Sequence, residues 1–117
     1  MLRRLVAAVL VVCVATTAAG AEPRPLAWCG WYARFHLVVT DPGRAFNRAC
    51  EWLRYGTPTF PRVGAIVVWC SKSHHHVGKI TGTDANGNFI VKSGNDGHAV
   101  RERVRSVAGA SFRWPVS

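Results

Sequence analysis

Cys29, the run His74-His75-His76, and Asn95 followed by Asp96 are the side chains in this sequence best suited to thiol chemistry. A cysteine attacks a carbonyl as its thiolate. The free thiol has a pKa of about 8.5, which falls at a helix N-terminus or beside an imidazolium. An imidazole within reach takes the thiol proton, and a third polar group holds the ring. Together they make a nucleophile, a base and an orienting group, the set that acyl transfer needs. The competing reading of Cys29 is a small buried hydrophobe, since free cysteine is among the most buried residue types.

These side chains depend on the elements that carry them. In WCGWYARFH, residues 28–36, Trp28, Trp31, Tyr32 and Phe35 recur at i, i+3, i+4 and i+7. That apolar stripe predicts a helix from Trp28 to about Val39, with Cys29 on its first turn, where partial positive charge favours an anion. Gly30 beside it leaves room for a substrate to approach. Thr40-Asp41-Pro42-Gly43 breaks the helix, and a second helix is expected from about Arg44 to Tyr55, stopped by Gly56. Strands are expected at Ala65–Cys70, His75–Thr83, Asn88–Ser93, His98–Val104 and Ala110–Trp114. Helices first and strands afterwards imply an α+β domain, N-terminal helices packed on an antiparallel β-sheet.

Strand parity then selects a base. Alternate residues point to opposite faces, so His75 faces away from His76. Asn86-Gly87 marks a hairpin turn. A two-residue turn places Asn95 opposite Gly78, and a four-residue turn, Asp84 to Gly87, places it opposite His76. In either register His76 shares a face with Ser93 and Asn95, whereas an odd loop would present Asp96 instead. Asn95 is thus nominated to orient His76, with Asp96 as its competitor.

The chain has 117 residues. Its start reads as a secretory signal peptide. Met1-Leu2-Arg3-Arg4 is basic, Leu5 to Ala15 is apolar, and Ala19-Gly20-Ala21 fits a cleavage site. Residues 1–21 are assigned to that signal, 22–26 to a leader and 27–117 to one catalytic domain. The apolar run is shorter than the roughly 20 residues of a transmembrane helix. No stable membrane insertion is therefore expected after cleavage, and the expected location is periplasmic or secreted. Loss of Arg3 and Arg4 leaves 13 basic against 6 acidic residues, a net charge of +7. Such charge favours anionic partners, and export points to wall polymer or lipid head groups rather than nucleic acid. The cluster Arg101-Glu102-Arg103-Val104-Arg105 reads as a solvated strand face.

Cys29, Cys50 and Cys70 survive processing. The odd number leaves one thiol over. If that is Cys29, then Cys50 and Cys70 can form a disulfide. A zinc reading of Cys70 with His74, His75 and His76 is disfavoured, because adjacent histidines on a strand do not converge on one ion. Asp84-Ala85-Asn86-Gly87-Asn88 lacks the full calcium-loop pattern and reads as a turn. No metal or cofactor is expected.

Ala27-Trp28-Cys29-Gly30-Trp31-Tyr32, Gly64-Ala65-Ile66-Val67-Val68-Trp69, His76-Val77-Gly78-Lys79-Ile80 and Ser93-Gly94-Asn95, in that order, resemble the CHAP and NlpC/P60 superfamily of papain-like cell-wall hydrolases. The resemblance covers about Ala27 to Trp114. It implies a papain-like fold and a monomeric cysteine amidase or endopeptidase acting on peptidoglycan. Cys29 would be the nucleophile, His76 the base and Asn95 the orienting group, with Trp28, Trp31, Tyr32 and Gly78 along the substrate groove. The sequence departs from the family pattern in three places. Ala65 stands where an aspartate is usual, the Ser71–Ser73 loop is very short, and Ser93 occupies a place where some relatives carry an acid. Ala65 and the short loop favour the alternative, a noncatalytic basic module that binds wall polymer or anionic lipid on a degenerate hydrolase fold.

Overall fold

The structure is a computed structural model, and it describes residues 22–116. The expected signal peptide lies outside them. One helix, α1 (Cys29–His36), is followed by two 3₁₀ segments, Arg44–Asn47 and Ala49–Arg54. Six strands come next: β1 (Thr57–Pro58), β2 (Ile66–Cys70), β3 (His75–Thr83), β4 (Phe89–Asp96), β5 (Ala99–Val104) and β6 (Ser111–Trp114). They form a single antiparallel sheet in the order β1-β6-β2-β3-β4-β5. The α+β class holds, with fewer and shorter helices than expected. No helix among the described residues is long and apolar enough to cross a membrane.

β2 is apolar throughout because both of its faces are covered. Ile66 and Val68, with Val77 of β3, pack against Trp28, Tyr32, Ala33 and Leu37 and against Trp52 and Tyr55. Ala65, Val67, Trp69, Ile80 and Val91 form a second core on the other side, closed by the partly buried Phe89, Phe112 and Trp114. Each fully buried valine or isoleucine contributes about 1.5–3 kcal/mol.

The expected second helix is replaced by the two 3₁₀ segments. Between them Arg48 is extended (φ −84°, ψ 126°), so the chain bends there. The bend lets the Phe46 carbonyl accept a 2.7 Å hydrogen bond from Trp52 Nε1. It also lets the backbone pass so close to α1 that a Cβ on Gly30 would lie 2.4 Å from the carbonyl oxygens of Phe46 and Asn47. Gly30 therefore serves close backbone packing rather than substrate access. Cys50, in the second segment, is bridged to Cys70 at the end of β2, with α-carbons 5.4 Å apart.

Arg34 fixes the far end of α1. Although buried, it donates two 2.8 Å bonds to Asp41 and one to Asn47, and it pairs with Glu22 at 3.1 Å. The leader is thus tied to the domain at Glu22.

The β3–β4 turn is neither of the lengths considered from sequence. Five residues, 84–88, separate Thr83 from Phe89, and a bulge between Ile80 and Gly82 shifts the register by one. Beyond that bulge Lys79 faces Lys92 and Ile80 faces Val91, the register a four-residue turn would give. Asp84 holds the turn by accepting from the N–H groups of Asn86 and Asn88, both at 2.9 Å.

Candidate functional site

Cys29 opens α1 after Trp28, which offers no side-chain cap. Its thiol is free and its residue only 4% exposed. It nevertheless lines clefts on two sides. One, of about 300 Å³, also collects His74, His75, His76, Asn95, Asp96 and Arg105. The other, of about 590 Å³, runs past Pro25, Asn47, Arg48, Cys50 and Glu51, and His75 borders both.

The nearby backbone N–H groups of Val77, Gly30 and Cys29 itself favour the charged form of the sulfur. These donors favour a thiolate, but burial outweighs them and raises the thiol above its ordinary value. The lowering expected for a thiol at a helix start is therefore outweighed by burial.

His76 lies at the start of β3, paired with Trp69 of β2. The ring is 6% exposed, and its Nε2 lies 2.8 Å from Ser93 Oγ of β4. Trp69 flanks it at 5.7 Å between centroids, and His74 stacks at 6.1 Å. Burial pushes its pKa down to about 4, helped by the positive charge of Arg105 and opposed by Asp96. Cys29 and His76 thus line one cleft at rest as a neutral thiol and a neutral imidazole.

Ser93 makes the only side-chain hydrogen bond to His76 among the described residues. Asn95, expected in that role, lines the same cleft, but β4 is irregular between Ser93 and Asp96, and Asn95 takes φ 53°. Asp96 is close enough for its charge to act on His76, yet its carboxylate is held by Arg103 at 2.6 and 2.7 Å. That pairing keeps Asp96 below the usual carboxylate range. Its carbonyl also accepts from Arg101 Nε at 2.8 Å. The arginines of β5 lie on an exposed strand, as expected, and Arg101 and Arg103 also bond to Asp96. Sequence parity placed Ser93 on the face of His76 but did not choose it, and no signal in the sequence pointed to Asp96 as a hub.

The residues expected along a substrate groove serve packing. Trp28 and Tyr32 are core side chains, 6% and 7% exposed. Trp31 is half-buried against Phe35. Gly78 is closed over by β4, since a Cβ there would lie 2.7 Å from Val91 Cγ1. Gly94 similarly admits Tyr32, whose Cβ would be 2.5 Å away. Cys50, Cys70 and His75 bring possible ligand atoms within 4.8 Å of one another, but the two sulfurs are joined to each other and are not thiolates.

Comparison with known proteins gives one family. Residues 21–95 match the model described as the CHAP domain, the CHAP/NlpC-P60 type of peptidoglycan hydrolase. Neither a curated protein nor a solved structure matches the chain. The matched residues include Cys29, His76, Ser93 and Asn95, and the free thiol and imidazole on one cleft fit a thiol mechanism. The match spans more than half of the sequence, and the chain belongs to the CHAP domain family.

Proposed function

We infer that the protein is an exported peptidoglycan hydrolase that cleaves an amide bond, as an amidase or endopeptidase, with Cys29 as nucleophile and His76 as base. The observation that carries this reading is the unbridged Cys29 thiol sharing one cleft with His76 in a CHAP domain. With Nε2–H donating to Ser93 Oγ, the Nδ1 lone pair is left to accept the thiol proton. Because both groups are neutral at rest, the proton moves as sulfur attacks the carbonyl. The first-turn N–H groups of α1, which have no intrahelical acceptor, would serve the developing oxyanion as the sulfur bonds to carbon. The ring then returns the proton to the leaving amine, and water hydrolyses the thioester with His76 again as base. Asn95 borders the cleft as a further polar contact for substrate or ring.

Incubation with purified peptidoglycan, followed by mass spectrometry of released fragments, tests activity and bond together. Wild type should release muropeptides with a new amine and carboxyl end, and Cys29→Ala, folded, should release none. Equal release by both would remove Cys29 from the chemistry.

The burial of Cys29 and its raised pKa favour the second reading, a noncatalytic basic module that binds wall polymer or anionic lipid. A thiol-reactive probe separates the two. A working nucleophile reacts faster when His76 is present than in His76→Ala, whereas a passive thiol reacts equally slowly in both.

A further inference from the structure

We propose that Arg105 forms an anion-accepting subsite beside Cys29 and His76, so that the preferred substrate carries a carboxylate next to the amide that is cut. The proposal rests on the hydrolase reading and names a feature of its substrate.

Arg105 directly follows β5, and its backbone N–H is pinned to the Phe89 carbonyl at 3.1 Å. Its side chain is 15% exposed and lines the cleft shared by Cys29 and His76. The guanidinium lies over the Trp69 ring, 4.7 Å from its centroid, which fixes the plane of the donors. Its Nη1 is buried and has no hydrogen-bond partner. The nearest carboxylate, Asp96, is 3.8 Å away, beyond hydrogen-bond distance, and both of its oxygens are already engaged by Arg103. One acid therefore serves two guanidiniums: Arg105 keeps only a 3.8 Å charge contact with it, and its buried Nη1 has no hydrogen-bond acceptor.

A buried guanidinium N–H without an acceptor is costly, and a carboxylate is the acceptor that matches a guanidinium fork. A substrate carboxylate would complete the site. It would also offset the charge that opposes protonation of His76, favouring the proton transfer that attack requires. Arg105 lies beyond residues 21–95, so the subsite belongs to a part of the chain that the family match does not cover.

The test is a binding comparison on folded Cys29→Ala protein, which needs no turnover. The probes are a peptidoglycan stem peptide with a free carboxylate flanking the scissile amide and the same peptide as its carboxamide. By calorimetry at low salt the acid should bind at least tenfold tighter. Adding Arg105→Gln should abolish that preference, and Arg105→Lys should keep part of it. Equal affinity for the two peptides, or an acid preference that survives Arg105→Gln, overturns the proposal. The peptide comparison involves no change at position 105, so it decides even if that variant fails to fold. Failure of wild type to hydrolyse either peptide would count against the hydrolase reading, and the binding comparison would still decide the subsite.

Discussion

His76 Nε2 sits 2.8 Å from Ser93 Oγ, both side chains buried, while Asn95 stands two residues on with its backbone turned into the left-handed region. The ring is therefore held by a hydroxyl from the same strand that carries the carboxamide. Ser93→Ala leaves the buried Nε2 unsatisfied, a loss of about 1–3 kcal/mol. Expressed in the transition state, that is roughly a five- to hundredfold fall in kcat, with KM little changed. Ser93→Thr, which keeps the hydroxyl, should recover part of it. Asn95→Ala should affect kcat less than Ser93→Ala. Steady-state kinetics of the three variants on a defined muropeptide check the order.

Stability should decline in mild acid because of His76. Its pKa is lowered to about 4 in the folded protein, below the ordinary 6.5, so the unfolded chain binds the proton first as pH falls. Stability contributed by the neutral ring is full above pH 6.5 and is lost progressively down to about pH 4, by up to about 3 kcal/mol. Denaturant midpoints between pH 8 and 4 should show this slope, and His76→Gln should flatten it. Asp96, whose pKa is depressed by Arg103, adds a second loss only at lower pH, as the folded carboxylate is itself protonated.

Reduction should soften the domain. The Cys50–Cys70 bridge joins residues 20 apart, and the chain-entropy model gives about 3 kcal/mol for a loop of that length. The double variant Cys50→Ser, Cys70→Ser should melt roughly 12–24 °C lower, since about 1 kcal/mol shifts a domain of this size by about 4–8 °C. Scanning calorimetry with and without reductant should give the same shift for wild type and none for the variant.

Gly30→Ala should destabilise the domain by about 1–3 kcal/mol or more, because the new methyl meets backbone carbonyls rather than a side chain that can rotate away. Gly43→Ala is a useful contrast. No atom lies within 4 Å of a Cβ there, so its cost comes only from the φ of 108°. Urea midpoints of the two variants measure the difference.

Much of this was legible in the sequence. The apolar run Ala65–Cys70 gave a strand buried on both faces because valine and isoleucine suit both sides of a pleat. Alternation around His76 and Ser93 gave their shared face. What stayed hidden was long-range. Position 30 reads as a glycine with free space until the Phe46 carbonyl arrives from the next segment. The Arg44–Tyr55 stretch has helical spacing, but the bend at Arg48 that meets α1 and the Cys70 bridge breaks it into 3₁₀ pieces. A bulge at one end of β4 and a register shift at the other decided which polar group reached the imidazole, and neither has a compositional mark.

Cys29, though buried, borders two clefts. A chain spanning both clefts would meet Asn47, Arg48 and Glu51 as one bank and Asp96 and Arg105 as the other. The two banks come from distant stretches of the chain. Tastes for the two halves of a cut molecule could then drift independently, one bank being redrawn while the other kept its old preference.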